Sequence, residues 1–204
     1  AEKIASLGEI YINDAFSCSH RKQASIHKIT KFIKQSYAGP QLKKELSAIN
    51  LVISNKKKPV TCIIGGSKIS TKIEVISRLI KEVDNVVIVG AMANNFLTYK
   101  GFQIGKSLVE KNSNNIISKI YSESQKNNCK ILIPIDCIVS KNFDGPGKNK
   151  DLKEVDNDEI ILDIGHKTIR KIEDIIEISK TILWNGPAGY FENENFMIGT
   201  MSIA

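Results

Sequence analysis

From Pro59 onward, the apolar residues fall in short unbroken runs, each followed by Gly, Asp or Asn. Val60-Thr61-Cys62-Ile63-Ile64 ends at Gly65-Gly66, and Val86-Val87-Ile88-Val89 ends at Gly90. Ile131-Leu132-Ile133-Pro134-Ile135 ends at Asp136, Ile160-Ile161-Leu162 at Asp163-Ile164-Gly165, and Thr181-Ile182-Leu183-Trp184 at Asn185-Gly186-Pro187. A strand with one wet face alternates apolar and polar residues, so continuous runs predict strands covered on both faces. Between the runs, apolar positions recur at helical spacing: Ile73, Ile76, Leu79 and Ile80; Ile116, Ile117, Ile120 and Tyr121; Ile169, Ile172, Ile175 and Ile176. Strand–helix alternation predicts a doubly wound, Rossmann-like α/β domain around a parallel sheet. Ligands of that class bind beyond the carboxyl ends of the strands, where these runs place residues that let a backbone come close.

Before Pro59 the pattern changes. Ile10-Tyr11-Ile12 predicts a short strand ending in Asn13-Asp14, and polar Ser17 to Ser19 leads to His20-Arg21. After Gly39-Pro40, the spacing of Leu42, Leu46, Ile49 and Val52-Ile53 predicts a helix over about Gln41 to Ser54. The expected division is residues 1–39 as the C-terminal part of an incomplete α/β domain, 40–57 as a connecting helix, and 58–204 as the alternating strand–helix domain. The chain opens at Ala1 inside an amphipathic pattern and stops at Ser202-Ile203-Ala204, so both ends read as cuts.

Composition narrows the classes. Hydrophobic residues are 42% and charged residues 25% of the 204, the balance of a soluble globular protein. No apolar run approaches the roughly 18 residues of a membrane helix, and no leader pattern is present, so a cytoplasmic protein is expected. Cys18, Cys62, Cys129 and Cys137 form no C-x-x-C pair and the three histidines do not cluster with them, which favours reduced thiols over zinc or disulfides. The net charge of +7 is carried by residues 1–58, with 11 Lys/Arg against 4 Asp/Glu; the remainder is balanced at 18 against 18. A small polyanion, nucleic acid or a merely solvated face would each suit that basic end. Without interleaved aromatics or a finger or RNA-binding signature, nucleic acid is not expected.

Gly65-Gly66-Ser67-Lys68-Ile69-Ser70-Thr71-Lys72 is the stretch richest in chemistry. It joins a buried strand to an amphipathic helix, where glycines allow close approach and free N–H groups attract phosphate. Lys68 is expected just before the helix and Lys72 about one turn in, both directed at one crevice. The alternative is an ordinary turn with solvated lysines. Gly101-Phe102-Gln103-Ile104-Gly105-Lys106-Ser107 imitates a Walker A loop but is one residue short and follows a helical stretch, so it reads as a decoy. Asn185-Gly186-Pro187-Ala188-Gly189-Tyr190-Phe191-Glu192 predicts a rigid loop whose Glu192 carboxylate suits a ribose diol. Arg21 offers a planar fork for phosphate or carboxylate, with His20 beside it.

In order along the chain, several segments resemble phosphoglycerate kinase. They are Tyr11 to Phe16 with His20-Arg21, Pro40 to Ile49, Ile64 to Lys72, Asn94 to Leu97, Ile104 to Leu108, Leu132 to Asp136, Leu162 to Gly165 and Trp184 to Glu192. The resemblance spans essentially the whole sequence. It implies reversible phosphoryl transfer between 1,3-bisphosphoglycerate and ADP, giving 3-phosphoglycerate and ATP, in a protein monomeric when whole, with no nucleic-acid or membrane partner. It implies Lys68 and Lys72 as catalytic residues and Arg21 with His20 as the phosphoglycerate contacts. Gly65, Gly66, Lys68, Lys72, Gly90, Leu162, Asn185, Pro187 and Glu192 are the implied nucleotide site. Mg2+ would be carried with ADP/ATP, its protein ligand expected beyond Ala204. The helix around Leu42 to Ile53 would take part in a hinge that closes the two domains. Since the family is about twice this length, the chain alone is expected to lack useful kinase activity; a nucleotide-binding relic is the alternative. Within the chain, Gln23 replaces a frequent histidine and His166 a usual proline. Val89 and Ala91 flank Gly90 where the family has glycines, which predicts side chains near the phosphate path.

Overall fold

The structure is a computed structural model that describes residues 1–54 and 56–204, and of residues 51–54 the backbone only. The expected apolar positions Val52 and Ile53, and Asn55 of the expected connector, therefore lie outside what is described. The chain divides into two compact units, residues 1–56 and 57–204.

In the first unit, helix α1 (Glu2–Ala5) precedes strand β1 (Ile10–Asn13), three short helical turns, strand β2 (Gln35–Ala38) and helix α2 (Pro40–Ser54). Strands β1 and β2 pair in parallel, Asn13 opposite Ala38. A small core gathers Ala5, Ile29 and Ile33 with Tyr11 against them. Asp14 explains the junction at Gly39-Pro40. Its Oδ1 accepts the Leu42 N–H at 2.7 Å, satisfying a donor in the first turn of α2. A side chain at position 39 would collide with it, its Cβ 2.4 Å from Asp14 Cγ.

The second unit is built on a four-stranded parallel sheet of β3 (Val60–Ile64), β4 (Asn85–Ile88), β5 (Lys130–Leu132) and β9 (Thr181–Asn185), in the spatial order β5-β4-β3-β9. Helices α3 (Ile73–Leu79), α4 (Ala93–Tyr99), α5 (Asn114–Lys126), α6 (His166–Ile178) and α7 (Ile198–Ile203) accompany it. One face of the sheet sends Cys62, Ile64, Val86 and Ile88 into a core with Ile76, Phe96, Ile117 and Ile120. The other sends Ile63 and Val87 against Ile164, Ile169 and Ile172. Both cores explain why these strands lack alternation, as the doubly wound reading requires.

Three elements depart from the sequence reading. The run Ile160–Leu162 belongs to no parallel sheet: β8 (Ile160–Ile164) pairs antiparallel with β6 (Asp136–Ser140), which pairs antiparallel with β7 (Lys148–Asp151). It still reads as continuous because both sides are covered, by Cys137, Val139 and Leu152 on one and Phe196 on the other. The run from Ile131 to Ile135 is cut at Leu132, before Pro134, which has no N–H to give a ladder. Among the described residues β9 pairs with β3 alone, and its Ile182, Leu183 and Trp184 are 43%, 38% and 37% exposed rather than covered on both faces.

Among the described residues no helix is long and apolar enough to cross a membrane.

Candidate functional site

Strands β3 and β9 run in register with Ile64 opposite Asn185, so their carboxyl ends finish level. The loops beyond them are joined backbone to backbone: the Gly65 N–H donates to Asn185 O at 2.8 Å, Gly90 N–H to Ala188 O at 3.0 Å, and Met92 N–H to Gly66 O at 2.8 Å. A Cβ on Gly65 would lie 2.1 Å from Pro187 O. The smallness of Gly65 thus serves loop-to-loop packing, and it does not line the cleft beside these loops. Gly66 and Gly90 do line it, both at positive φ, 124° and 68°.

Lys72 meets Asn185 across 113 positions of sequence, its Nζ donating to Asn185 Oδ1. The helix begins one residue later than this lysine, at Ile73, so Lys72 stands at its N-cap and not one turn inside as expected. Residues 69–72 form a tight turn instead, with Lys72 N–H on Ile69 O at 2.9 Å and Thr71 Oγ1 donating to Lys68 O at 3.0 Å. Ile69 is fully buried and anchors the turn, while Lys68 is exposed.

The cleft has a volume of about 410 Å³, within the usual range of a small-ligand site. Of the residues singled out from sequence, Gly66, Gly90, Leu162, Pro187 and Glu192 line it, while Lys68, Lys72 and Asn185 are not among its lining residues. Its wall also includes Asn94 and Leu97 from α4, Lys106, Leu108, Phe143, Asp163 and Tyr190. Phe143 and Tyr190 stack edge to face with ring centres 5.6 Å apart. A mostly apolar lining with a few polar side chains among it suits a flat, partly apolar ligand carrying a charged tail. His20 and Arg21 are exposed residues of the first unit, after the turn Phe16–Cys18, with Arg21 N–H on Cys18 O at 2.9 Å.

One sequence expectation about this region needs correction. Val89 does not flank the cleft: it is fully buried beside Ile63, Val87 and Ala188, and only Ala91 reaches the wall. In the Walker-like segment, read from sequence as a decoy, Gly105 is packed against Glu159 O, 2.2 Å from where its Cβ would be, and Ser107 Oγ accepts the Ile161 N–H at 2.8 Å. Yet it is not idle, because Lys106 and Leu108 line the cleft. His166, in place of a proline, supplies an N–H that donates to Asn149 Oδ1 at 3.0 Å.

Asn94, Lys106, Phe143 and Tyr190 were not singled out from sequence as site residues. Signals were there for two of them. Asn94 with Asn95 puts two poor helix formers into an apolar helix, and both are buried. Phe143 is a lone aromatic in a polar loop. Among the described residues, no group of three or more His, Cys, Asp or Glu could hold a metal ion.

The chain matches the family model for phosphoglycerate kinase over residues 1–204. It is 46% identical over 204 residues to a phosphoglycerate kinase of Wolbachia sp. subsp. Drosophila simulans (strain wRi), covering all of this chain and 51% of the relative. It is 41% identical to one from Bartonella quintana (strain Toulouse), covering 52% of that relative. The solved phosphoglycerate kinase from Coxiella burnetii superposes with a TM-score of 0.86 at 34% identity, over 99% of this chain and 52% of the other. The chain therefore spans about half the length of the curated relatives it matches. With the family model covering every residue and the fold matched at both levels, this chain belongs to the phosphoglycerate kinase family.

Proposed function

We propose that the whole polypeptide catalyses reversible phosphoryl transfer between 1,3-bisphosphoglycerate and ADP, and that residues 57–204 supply its nucleotide site. The observation that carries this reading is the meeting of Lys72 with Asn185 at the level ends of β3 and β9, beside a cleft walled by Gly66, Gly90, Leu162, Pro187 and Glu192. Adenine enters between the apolar wall of Leu108 and Leu162 and the aromatic pair. Glu192 accepts from the ribose hydroxyls. The phosphates run toward the strand ends, where Lys68 and Lys72 balance their charge and that of the group in flight. In-line transfer needs little covalent help, so positioning and charge neutralisation do most of the work. Mg2+ arrives with the nucleotide as part of the substrate. In the first unit, Arg21 and His20 receive the phosphoglycerate. The protein works in the cytoplasm as a monomer, with neither nucleic acid nor membrane as partner, and the α2 segment serves the hinge between domains.

Calorimetric titration of Mg-ADP into this chain and its Lys72→Ala variant tests the site. Loss of a charged hydrogen-bond donor should weaken binding roughly tenfold or more, with adenosine affinity unchanged. Equal Mg-ADP binding by both would remove Lys72 from the site.

A further inference from the structure

Lys68 and Lys72 flank Ser70 and Thr71, which are exposed, and an exposed segment does not hold one conformation unaided. Glu110 reaches this turn from a distant loop. Its Oε1 accepts the Ser70 N–H at 3.1 Å, midway between the two lysines. The Ser70 hydroxyl is the first cause holding the Glu110 carboxyl below its ordinary range, with the Ser70 and Ile69 N–H groups and the Lys68 charge adding to it. Glu110 is itself anchored from behind. Its own N–H donates to Asn95 Oδ1 at 2.9 Å, and Asn95, fully buried, donates to Met92 O at 3.1 Å. The neighbouring Asn94 Nδ2 holds Leu108 O at 3.0 Å. A line of hydrogen bonds therefore runs from the buried start of α4 through Glu110 to the turn that carries both lysines.

We infer that Glu110 is a positioning residue for phosphoryl transfer: it fixes the Lys68–Lys72 turn so that both ammonium groups address the nucleotide phosphates. The inference rests on the nucleotide reading above. A carboxylate beside a phosphate path opposes phosphate by charge, so its presence is useful only if the geometry it imposes outweighs that repulsion. The Ser70 N–H, which a phosphate would otherwise find free, is turned to Glu110 instead. Phosphate recognition is thereby left to the two lysines, with Gly66 giving the phosphate room to approach.

The test compares wild type, Glu110→Ala and Glu110→Gln in this chain by titration with Mg-ADP and with adenosine, and by hydrogen exchange of residues 66–72 without ligand. Glu110→Ala should weaken Mg-ADP about tenfold while leaving adenosine, which reports an intact cleft, unchanged, and should speed exchange in the turn. Glu110→Gln, which keeps an acceptor for the Ser70 N–H, should recover most of the Mg-ADP affinity. Tighter Mg-ADP binding by both variants would mean that Glu110 only opposes phosphate and would overturn the inference. So would wild-type affinity in Glu110→Ala, or Gln failing as badly as Ala. If wild type binds no Mg-ADP, the nucleotide reading fails separately, and unchanged exchange in Glu110→Ala then overturns the strut by itself.

Discussion

Asp163 accepts the Gly199 N–H on Oδ2 at 2.7 Å, which ties β8 to helix α7 through a carboxylate only 2% exposed. Its Oδ1 accepts the Ile164 N–H at 2.8 Å. A Cβ at Gly189 or Gly199 would lie 2.3 Å from that Oδ1, so the two glycines are small because Asp163 fills the space between them. Burial is the larger influence and pushes this carboxyl up to about 6 from 3.8, the two N–H bonds opposing it.

A pH dependence of stability follows. The folded state binds the Asp163 proton more tightly than the unfolded state does. The stabilisation is therefore complete below about pH 3.8 and is lost as pH rises through about 6. Two pH units correspond to on the order of 3 kcal/mol. Urea midpoints of wild type and Asp163→Asn, measured from pH 4 to 7, should show a difference that shrinks for wild type as pH rises. Parallel curves would mean that Asp163 titrates alike in both states.

The contact between Gly65 and Pro187 O gives a second prediction. Gly65→Ala puts a methyl 2.1 Å from a carbonyl that belongs to backbone and cannot swing aside. Separating the loops should destabilise the chain by about 1–3 kcal/mol and move Asn185 away from Lys72. Thermal unfolding and Mg-ADP titration should both decline. A variant with an unchanged midpoint would show that the loops are free to part.

Much of this arrangement was legible before the structure because burial on both faces leaves a plain mark. The runs at Val60 and Val86 became β3 and β4, the run at Thr181 became β9 although its faces stay exposed, and Gly66, Gly90, Leu162, Pro187 and Glu192 line one cleft. The run at Ile160 misled about direction, since a covered strand looks the same in parallel and antiparallel sheets. Strand β7, Lys-Asn-Lys-Asp, was invisible because it is an edge with one buried side chain, Lys150, held by Asp156 at 2.7 Å and Glu159 at 2.8 Å. Hydropathy cannot announce a strand held by ion pairs. Glu110 was missed for a related reason: its role lies in the Ser70 N–H it meets, and nothing local to Leu108-Val109-Glu110 points there.

The thiols provide an independent check on packing. Burial foremost pushes Cys62 and Cys137 up to about 12 and Cys129 to about 11, and all three are buried, while Cys18 is partly exposed. The thiolate is the reactive form. A disulfide reagent at pH 8 should modify one thiol per folded chain quickly and all four after denaturant is added. Fast reaction of two or more in the folded chain would contradict the core around Cys62 or the β6–β7 pairing around Cys137.

The loop that carries Glu192 is held at several points. Trp184 Nε1 donates to Gly186 O at 2.7 Å, Ala188 N–H to Thr200 Oγ1 at 3.0 Å, and Tyr190 N–H to Leu162 O at 2.7 Å. A carboxylate carried by a loop so fixed can select a diol by geometry, because the loop backbone does not have to be ordered when ligand arrives. Wild type should therefore bind Mg-ADP more tightly than Mg-2′-deoxy-ADP, by roughly tenfold for one lost hydrogen bond to a charged group. Glu192→Ala should weaken Mg-ADP by more than it weakens the deoxy ligand, so that the two affinities converge. The difference between the two losses isolates the contact from any general loosening of the loop. An equal loss for both ligands would place the Glu192 carboxylate away from the ribose 2′-hydroxyl.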